Sequence, residues 1–212
     1  MKELDREDIK GMLLYVAEKI IENKDFLTEL DSKIGDGDHG IGMVVGMENV
    51  ITTLKSQDKT PDPYALFVLA GRSMLMSMGG ASGVIFGSLF MGGAKGMETK
   101  EKLDASNLAE LFQRSLKAIQ TRGGAQVGDK TMVDALSPAV DTMLAYSGDD
   151  ITAMFKAAAK AAKLGMENTM NCQAKQGRAK SLMERSIGYQ DAGAASTWII
   201  FRSMAEWLKT RN

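Results

Sequence analysis

At 212 residues the chain is long enough to bury a substantial core as one domain spanning 1–212. Its 26 Lys and Arg against 27 Asp and Glu leave a formal net charge of −1, which argues against general nucleic-acid binding. A single cysteine, Cys172, rules out an intramolecular disulfide and fits a reducing, cytoplasmic setting; no signal-peptide pattern opens the chain, and no apolar run approaches the ~20 residues of a membrane span.

Helical periodicity dominates from the start. Ile9, Met12, Leu13, Val16 and Ile20 recur at helix spacing, with Asp5 placed to cap them. The polar stretch Asp31–Gly40 then reads as a loop, and helices are expected over 40–56 and 63–78, with Pro61 and Pro63 marking the break between them. The Met74-Leu-Met76-Ser-Met78 run lies in the second of these and reads as core filling, the usual use of methionine between helices. A helix over 83–97 follows the glycine-rich Gly79–Gly83. Leu108, Leu111, Phe112, Leu116 and Ile119 make another stripe, and Ile151, Met154, Phe155, Ala158 and Ala162 a third. Helices over 131–146 and 192–209 complete the set. β-branched alternation is nearly absent, so the expected class is all-α, with about eight helices and neither repeat nor long linker.

The loop Asp31-Ser-Lys-Ile-Gly-Asp36-Gly-Asp38-His39-Gly40 sets three carboxylates within eight residues, beside the chain's only histidine. Carboxylate oxygens are hard ligands suited to Mg²⁺ or Ca²⁺, and like charges this close repel unless a cation lies between them. Glycines on both sides of Asp36 let the chain curl and aim the carboxylates together. An EF-hand is excluded: counting twelve positions from Asp31, Asp36 or Asp38 reaches Gly42, Met47 or Asn49, never the bidentate Glu. Magnesium, completed by substrate phosphates, fits better. The bland alternative is a solvated acidic loop.

Gly79-Gly80-Ala81-Ser82-Gly83 offers a matching phosphate cradle, because small residues let backbone N–H groups approach an anion at a helix start. It reads equally well as a tight helix–helix turn with a serine cap. Arg122–Thr131 resembles a P-loop superficially, but Asp129 separates Gly128 from Lys130 and no strand precedes it. A last polar region, Gln173–Arg178 followed by Arg185–Gly193, adds arginines able to hold phosphate. Four glycine-bearing polar loops joined by helices point to one shared site.

Taken together and in this order, Asp31-x4-Asp36-Gly-Asp38-His39-Gly40, Gly79–Gly83, Gly128-Asp-Lys-Thr-Met132, Gly177-Arg-Ala179 and Glu184-Arg-Ser-Ile-Gly188 resemble the nucleotide-binding L subunits of dihydroxyacetone kinase, the DhaL family. The resemblance implies a closed barrel of eight antiparallel helices with the nucleotide held by loops at one end. It implies that Asp31, Asp36 and Asp38 hold two Mg²⁺ ions on the phosphates of ADP or ATP, with His39, Gly40, Ile41 and Gly42 alongside. Gly80, Ala81 and Ser82 would cradle phosphate, Gly123 and Met132 would line the adenosine side, and Arg178 with Asp191-Ala192-Gly193 would close over the nucleotide. Gly42 stands where many of these sequences carry Asn, and Ala192 where some carry Pro, so one phosphate contact is lost and the closing turn is looser.

In that family a separate K-type subunit holds the ketone covalently through a histidine. Here the only histidine belongs to the metal loop, so the resemblance implies a K-type partner whose bound dihydroxyacetone receives the γ-phosphoryl group. It further implies an M-type phosphocarrier of the phosphotransferase system that recharges ADP in place. The alternatives are an ATP-exchanging kinase subunit acting on another small ketose, a fatty-acid kinase module, and a nucleotide-sensing module without catalysis. No partner in nucleic acid or membrane is expected.

Overall fold

Asp5 starts the first helix as its position predicts: its carboxylate accepts from the Asp8 backbone N–H at 2.9 Å, and the Asp8 side chain accepts in return from the N–H of Asp5. The computed structural model describes residues 1–57 and 62–211; Pro61 lies outside them. Among the described residues the chain runs β1 (Glu3–Asp5), α1 (Arg6–Glu22), α2 (Lys24–Ile34), α3 (His39–Lys55), α4 (Pro63–Ser77), α5 (Gly80–Ala94), β2 (Lys102–Asp104), α6 (Ala105–Gly123), α7 (Met132–Leu144), α8 (Ile151–Asn168) and α9 (Ala192–Lys209). Short 3-10 turns occupy Thr169–Asn171 and Arg178–Ser186.

The all-α expectation holds in outline, with three corrections. There are nine α-helices among the described residues rather than about eight, because α2 forms where the sequence suggests no helix, its last turn falling inside the Asp31–Gly40 stretch. Its buried stripe is only Leu27, Leu30 and Ile34, too short to stand out against the charges around it. Asp31 therefore belongs to the last turn of a helix and not to a loop. Next, α5 begins at Gly80 rather than 83, which makes Gly79–Gly83 the first turn of a helix and not a linker before it. Finally, β1 and β2 pair antiparallel, Leu4 opposite Leu103. Each strand ends in an aspartate, Asp5 or Asp104, that caps the helix after it, so this small ladder sets the starts of α1 and α6.

Neighbouring helices pack in sequence from α2 on α3 through to α8 on α9, and α1 packs on both α3 and α9. Phenylalanines from four helices meet at the centre: Phe112 of α6 lies edge-on to Phe67 of α4 and Phe155 of α8, and 5.0 Å from the ring of Phe201 of α9. Such pairs contribute about 0.5–1.5 kcal/mol each beyond burial. Met74 and Met78 are core residues as expected, whereas Met76 of the same run points outward, 81% exposed.

The connections between helices decide where a site can form. The α2–α3 link is Gly35–Asp38, the α4–α5 link Met78–Gly79, the α6–α7 link 124–131 and the α8–α9 link 169–191. Since these helix pairs are packed neighbours, α3, α5, α7 and α9 all begin at the same end of the molecule. No described helix is long and apolar enough to cross a membrane.

Candidate functional site

The end of α2 and the start of α3 bring three carboxylates together. One oxygen from each of Asp31, Asp36 and Asp38 lies within 4.8 Å of the others. The glycines make this approach possible: a Cβ at Gly35 would sit 2.2 Å from Asp31 Oδ1, and Gly37 adopts φ +76° between the two loop aspartates. Burial, followed by the neighbouring Asp36 and Asp31 charges, pushes the Asp38 carboxyl above the usual range. Arg178 offsets part of this charge, its Nε 2.9 Å from Asp36 Oδ2. That pair borders a cleft of about 340 Å³ between Lys33–Asp36 and Arg178–Leu182.

The other connections converge on this cluster. His39 opens α3; its backbone N–H donates to Asp31 Oδ2 at 3.3 Å and its Nε2 lies 2.8 Å from Ser196 Oγ on α9. Its ring packs 5.7 Å from that of Phe86, which joins α3 to α5. Burial holds the half-buried imidazole below its usual pKa. Met78, just before α5, packs beside Gly42. Ile85 of α5 packs against Gly123 at the end of α6, and Gly193 of α9 packs against Met132 at the start of α7. All four connections thus share one end.

Their helix starts differ in one chemically important respect. Thr131 caps α7 and Asp191 caps α9 through side-chain oxygens. Neither α3 nor α5 has a side-chain cap. At α5 the first N–H groups are therefore open to an outside acceptor; at α3 the His39 N–H is held by Asp31 and the Gly42 N–H by the Asp38 carbonyl, and both helices direct the positive ends of their dipoles to this end. Gly80, Ala81 and Ser82 are all exposed at the α5 start, and Ile41 projects from the first turn of α3.

Several residues singled out in the sequence have packing roles here. Gly40 is buried, and a Cβ there would stand 2.2 Å from Thr28 Oγ1 and 2.4 Å from the Lys24 carbonyl. Met132 and Ala192 are buried at the starts of their helices. Asp191 accepts from the Ala194 N–H at 2.7 Å, and burial pushes its carboxyl up to about 7 against the pull of that bond and of Lys130. Lys130, Thr169, Asp134 and Ser196, none of them singled out in the sequence, are buried behind these helix starts. Asp134 accepts from the N–H groups of Gly128 at 2.6 Å and Thr131 at 2.8 Å. The capping-box spacing Thr131-x-x-Asp134 was the available signal.

Three adjacent hard carboxylates suit a divalent cation such as Mg²⁺, and two uncapped helix starts beside them suit its phosphate ligand. The DAK2 domain matches residues 33–206. The chain is 38% identical over 191 residues to the PTS-dependent dihydroxyacetone kinase, ADP-binding subunit DhaL, of Lactococcus lactis, covering 89% of this chain and 91% of that one. It is 34% identical over 206 residues to the PEP-dependent dihydroxyacetone kinase, ADP-binding subunit DhaL, of Escherichia coli K12, covering 95% and 97%. The solved dihydroxyacetone kinase from C. freundii in complex with AMP-PNP and Mg²⁺ matches with a TM-score of 0.72 at 27% identity, covering 93% of this chain. This chain spans 33% of that longer protein. With a domain match over most of its length and relatives above 30% identity from end to end, the chain belongs to the DAK2 domain family.

Proposed function

We propose that this chain is the ADP-binding L subunit of a phosphotransferase-system-dependent dihydroxyacetone kinase, a cytoplasmic phosphotransferase active with a K-type partner that carries the ketone. The observation that carries the reading is the cluster of Asp31, Asp36 and Asp38 beside two helix starts, α3 and α5, that lack side-chain caps. The names of end-to-end relatives support the subunit assignment. The packing of α1 on both α3 and α9 supports a closed antiparallel barrel, and the shared core supports one domain over 1–212.

In this reading Asp31, Asp36 and Asp38 hold two Mg²⁺ ions. Bound there, Mg²⁺ supplies charge neutralisation on phosphate oxygens. The N–H groups of Gly80, Ala81 and Ser82 and the Ser82 hydroxyl hold phosphate, with His39, Gly40, Ile41 and Gly42 lying alongside. Gly123 and Met132 bound the adenosine side. Arg178, already beside Asp36, and the Asp191–Gly193 turn cover the nucleotide and exclude water. Phosphoryl transfer draws mainly on such positioning and electrostatics, so no general base need come from this chain. The ketone site lies on the K-type subunit, and an M-type phosphocarrier recharges ADP without its release.

The reading is tested by reconstitution. Mixed with a K-type subunit, an M-type phosphocarrier and the phosphotransferase-system donor chain, the protein should phosphorylate dihydroxyacetone with catalytic amounts of ADP. Dependence on stoichiometric ATP would instead make it an ATP-exchanging subunit. Failure with either donor would reduce it to a nucleotide-binding module.

A further inference from the structure

The α8–α9 connection leaves the barrel at Thr169, carries Arg178 out to Asp36 and returns at Asp191. Its two feet meet at one buried side chain. Lys130 is 2% exposed, and its ammonium donates to the Thr169 carbonyl at 2.6 Å and to the Tyr189 carbonyl. The same neck is closed by the Asp191 N–H on Thr169 Oγ1 at 3.0 Å and the Gly188 N–H on the Met170 carbonyl at 2.8 Å. Thr169 is fully buried. On the outer side, Lys175 N–H donates to the Asp129 carbonyl, and its ammonium pairs with the Asp129 carboxylate at 3.0 Å.

We infer that Lys130 is a positioning residue of the nucleotide site: its buried ammonium pins both feet of the α8–α9 strap to the start of α7, holding Arg178 and the Asp191–Gly193 turn over the carboxylate cluster before ligand arrives. The inference rests on the nucleotide-site reading above. Three features support it. A buried ammonium is costly even with the Asp191 and Asp134 carboxyls nearby, and a chain needing only packing there is served as well by an apolar side chain. The backbone bends to direct it inward: Lys130 takes φ +61°, a left-handed conformation unfavourable for a non-glycine residue. Its two acceptors are carbonyls at the two feet of the strap, 20 positions apart, so one cation ties to α7 a neck that the Asp191–Thr169 and Gly188–Met170 hydrogen bonds close on themselves. The strap tip reaches the acidic cluster through one exposed ion pair, which alone holds little. Its order therefore draws on the neck, together with the buried Ala174 N–H to Ser186 Oγ bond within the strap at 2.9 Å. A site organised before binding binds more tightly, because the apparent affinity scales with the fraction of molecules already competent.

The test compares wild type, Lys130→Met, Lys130→Arg and Leu108→Ala, each stripped of bound nucleotide by unfolding and refolding before titration. Leu108 lies in the core near the start of α6, about 22 Å along that helix from its Gly123 end, and controls for general loss of stability. Calorimetric titration with Mg-ADP should show at least about tenfold weaker binding for Lys130→Met, recovery to within about threefold for Lys130→Arg, and no comparable loss for Leu108→Ala at a similar fall in Tm. Lys130→Met binding as tightly as wild type overturns the inference, as does Leu108→Ala weakening binding equally. Wild type that binds no Mg-ADP overturns the functional reading and the inference with it. Should Lys130→Met fail to fold, hydrogen exchange on nucleotide-free wild type decides: the Gly188 and Asp191 amides should be as protected as the first full turn of α7, and exchange at the free-chain rate overturns the pinning.

Discussion

His39 Nε2 lies 2.8 Å from Ser196 Oγ, joining residues 157 positions apart across the starts of α3 and α9. This contact fixes the ring of the only histidine in the chain while its backbone N–H faces Asp31. Ser196 is fully buried, so its hydroxyl has little else to satisfy it. Ser196→Ala should cost about 1 kcal/mol, or roughly 2–4 °C in Tm, read by thermal unfolding. An unchanged Tm would mean that the two side chains are not paired in solution.

Asp36→Asn should abolish retention of Mg-nucleotide while leaving the far-UV circular dichroism unchanged. Asp36 is exposed and supports no helix, so its loss removes a hard ligand and the Arg178 pair but no packing. Retention of nucleotide at wild-type levels would remove Asp36 from the metal site.

The glycines of the two phosphate-facing segments should separate by substitution. Gly40→Ala drives a methyl against Thr28 and the Lys24 carbonyl and should destabilise the fold by at least about 1–3 kcal/mol in denaturant. A Cβ at Gly79 meets nothing within 4 Å, so Gly79→Ala should stay within about 1 kcal/mol of wild type, the scale of a changed N-cap. Equal effects would contradict the close approach of α2 and α3.

Much of this arrangement could be read in the sequence, and the gaps have physical causes. The stripes of α1, α6 and α8 were visible because their apolar residues repeat over several turns; α2 was missed because three buried residues among charges give too little periodicity. The carboxylates were legible because like charges between glycines are unusual. Lys130 was not, since a lysine between Asp129 and Thr131 in a polar loop looks solvated, and only the left-handed turn at this residue sends it inward. Ser196 was hidden in the run Ala194-Ala195-Ser196-Thr197, whose small residues read as helix packing.

Ser82→Ala should weaken nucleotide binding by about 1–2 kcal/mol, roughly tenfold, through loss of one hydroxyl donor at an otherwise backbone-lined cradle. Titration calorimetry with Mg-ADP reads this directly. Unaltered affinity would leave the α5 start with its backbone N–H groups alone.

Asp191 should make the nucleotide-free protein less stable as pH rises. Burial pushes its carboxyl up to about 7, above the ordinary value of 3.8 expected when unfolded. The native state therefore holds an extra proton between those values, and its contribution, full below about pH 4, is lost as pH rises through about 7. Asp191→Asn keeps a capping oxygen for α9 without this titration. Its Tm relative to wild type should climb from pH 4 to 7 and level off above, and a flat difference would contradict the enclosed carboxyl.

A nucleotide held on the acidic cluster should already be present in the protein as purified, where its content can be measured. Protein prepared in Mg²⁺ without added nucleotide should release near-stoichiometric ADP on denaturation and resist its exchange beforehand. Protein that arrives empty and binds neither Mg-ADP nor Mg-ATP would contradict the claim.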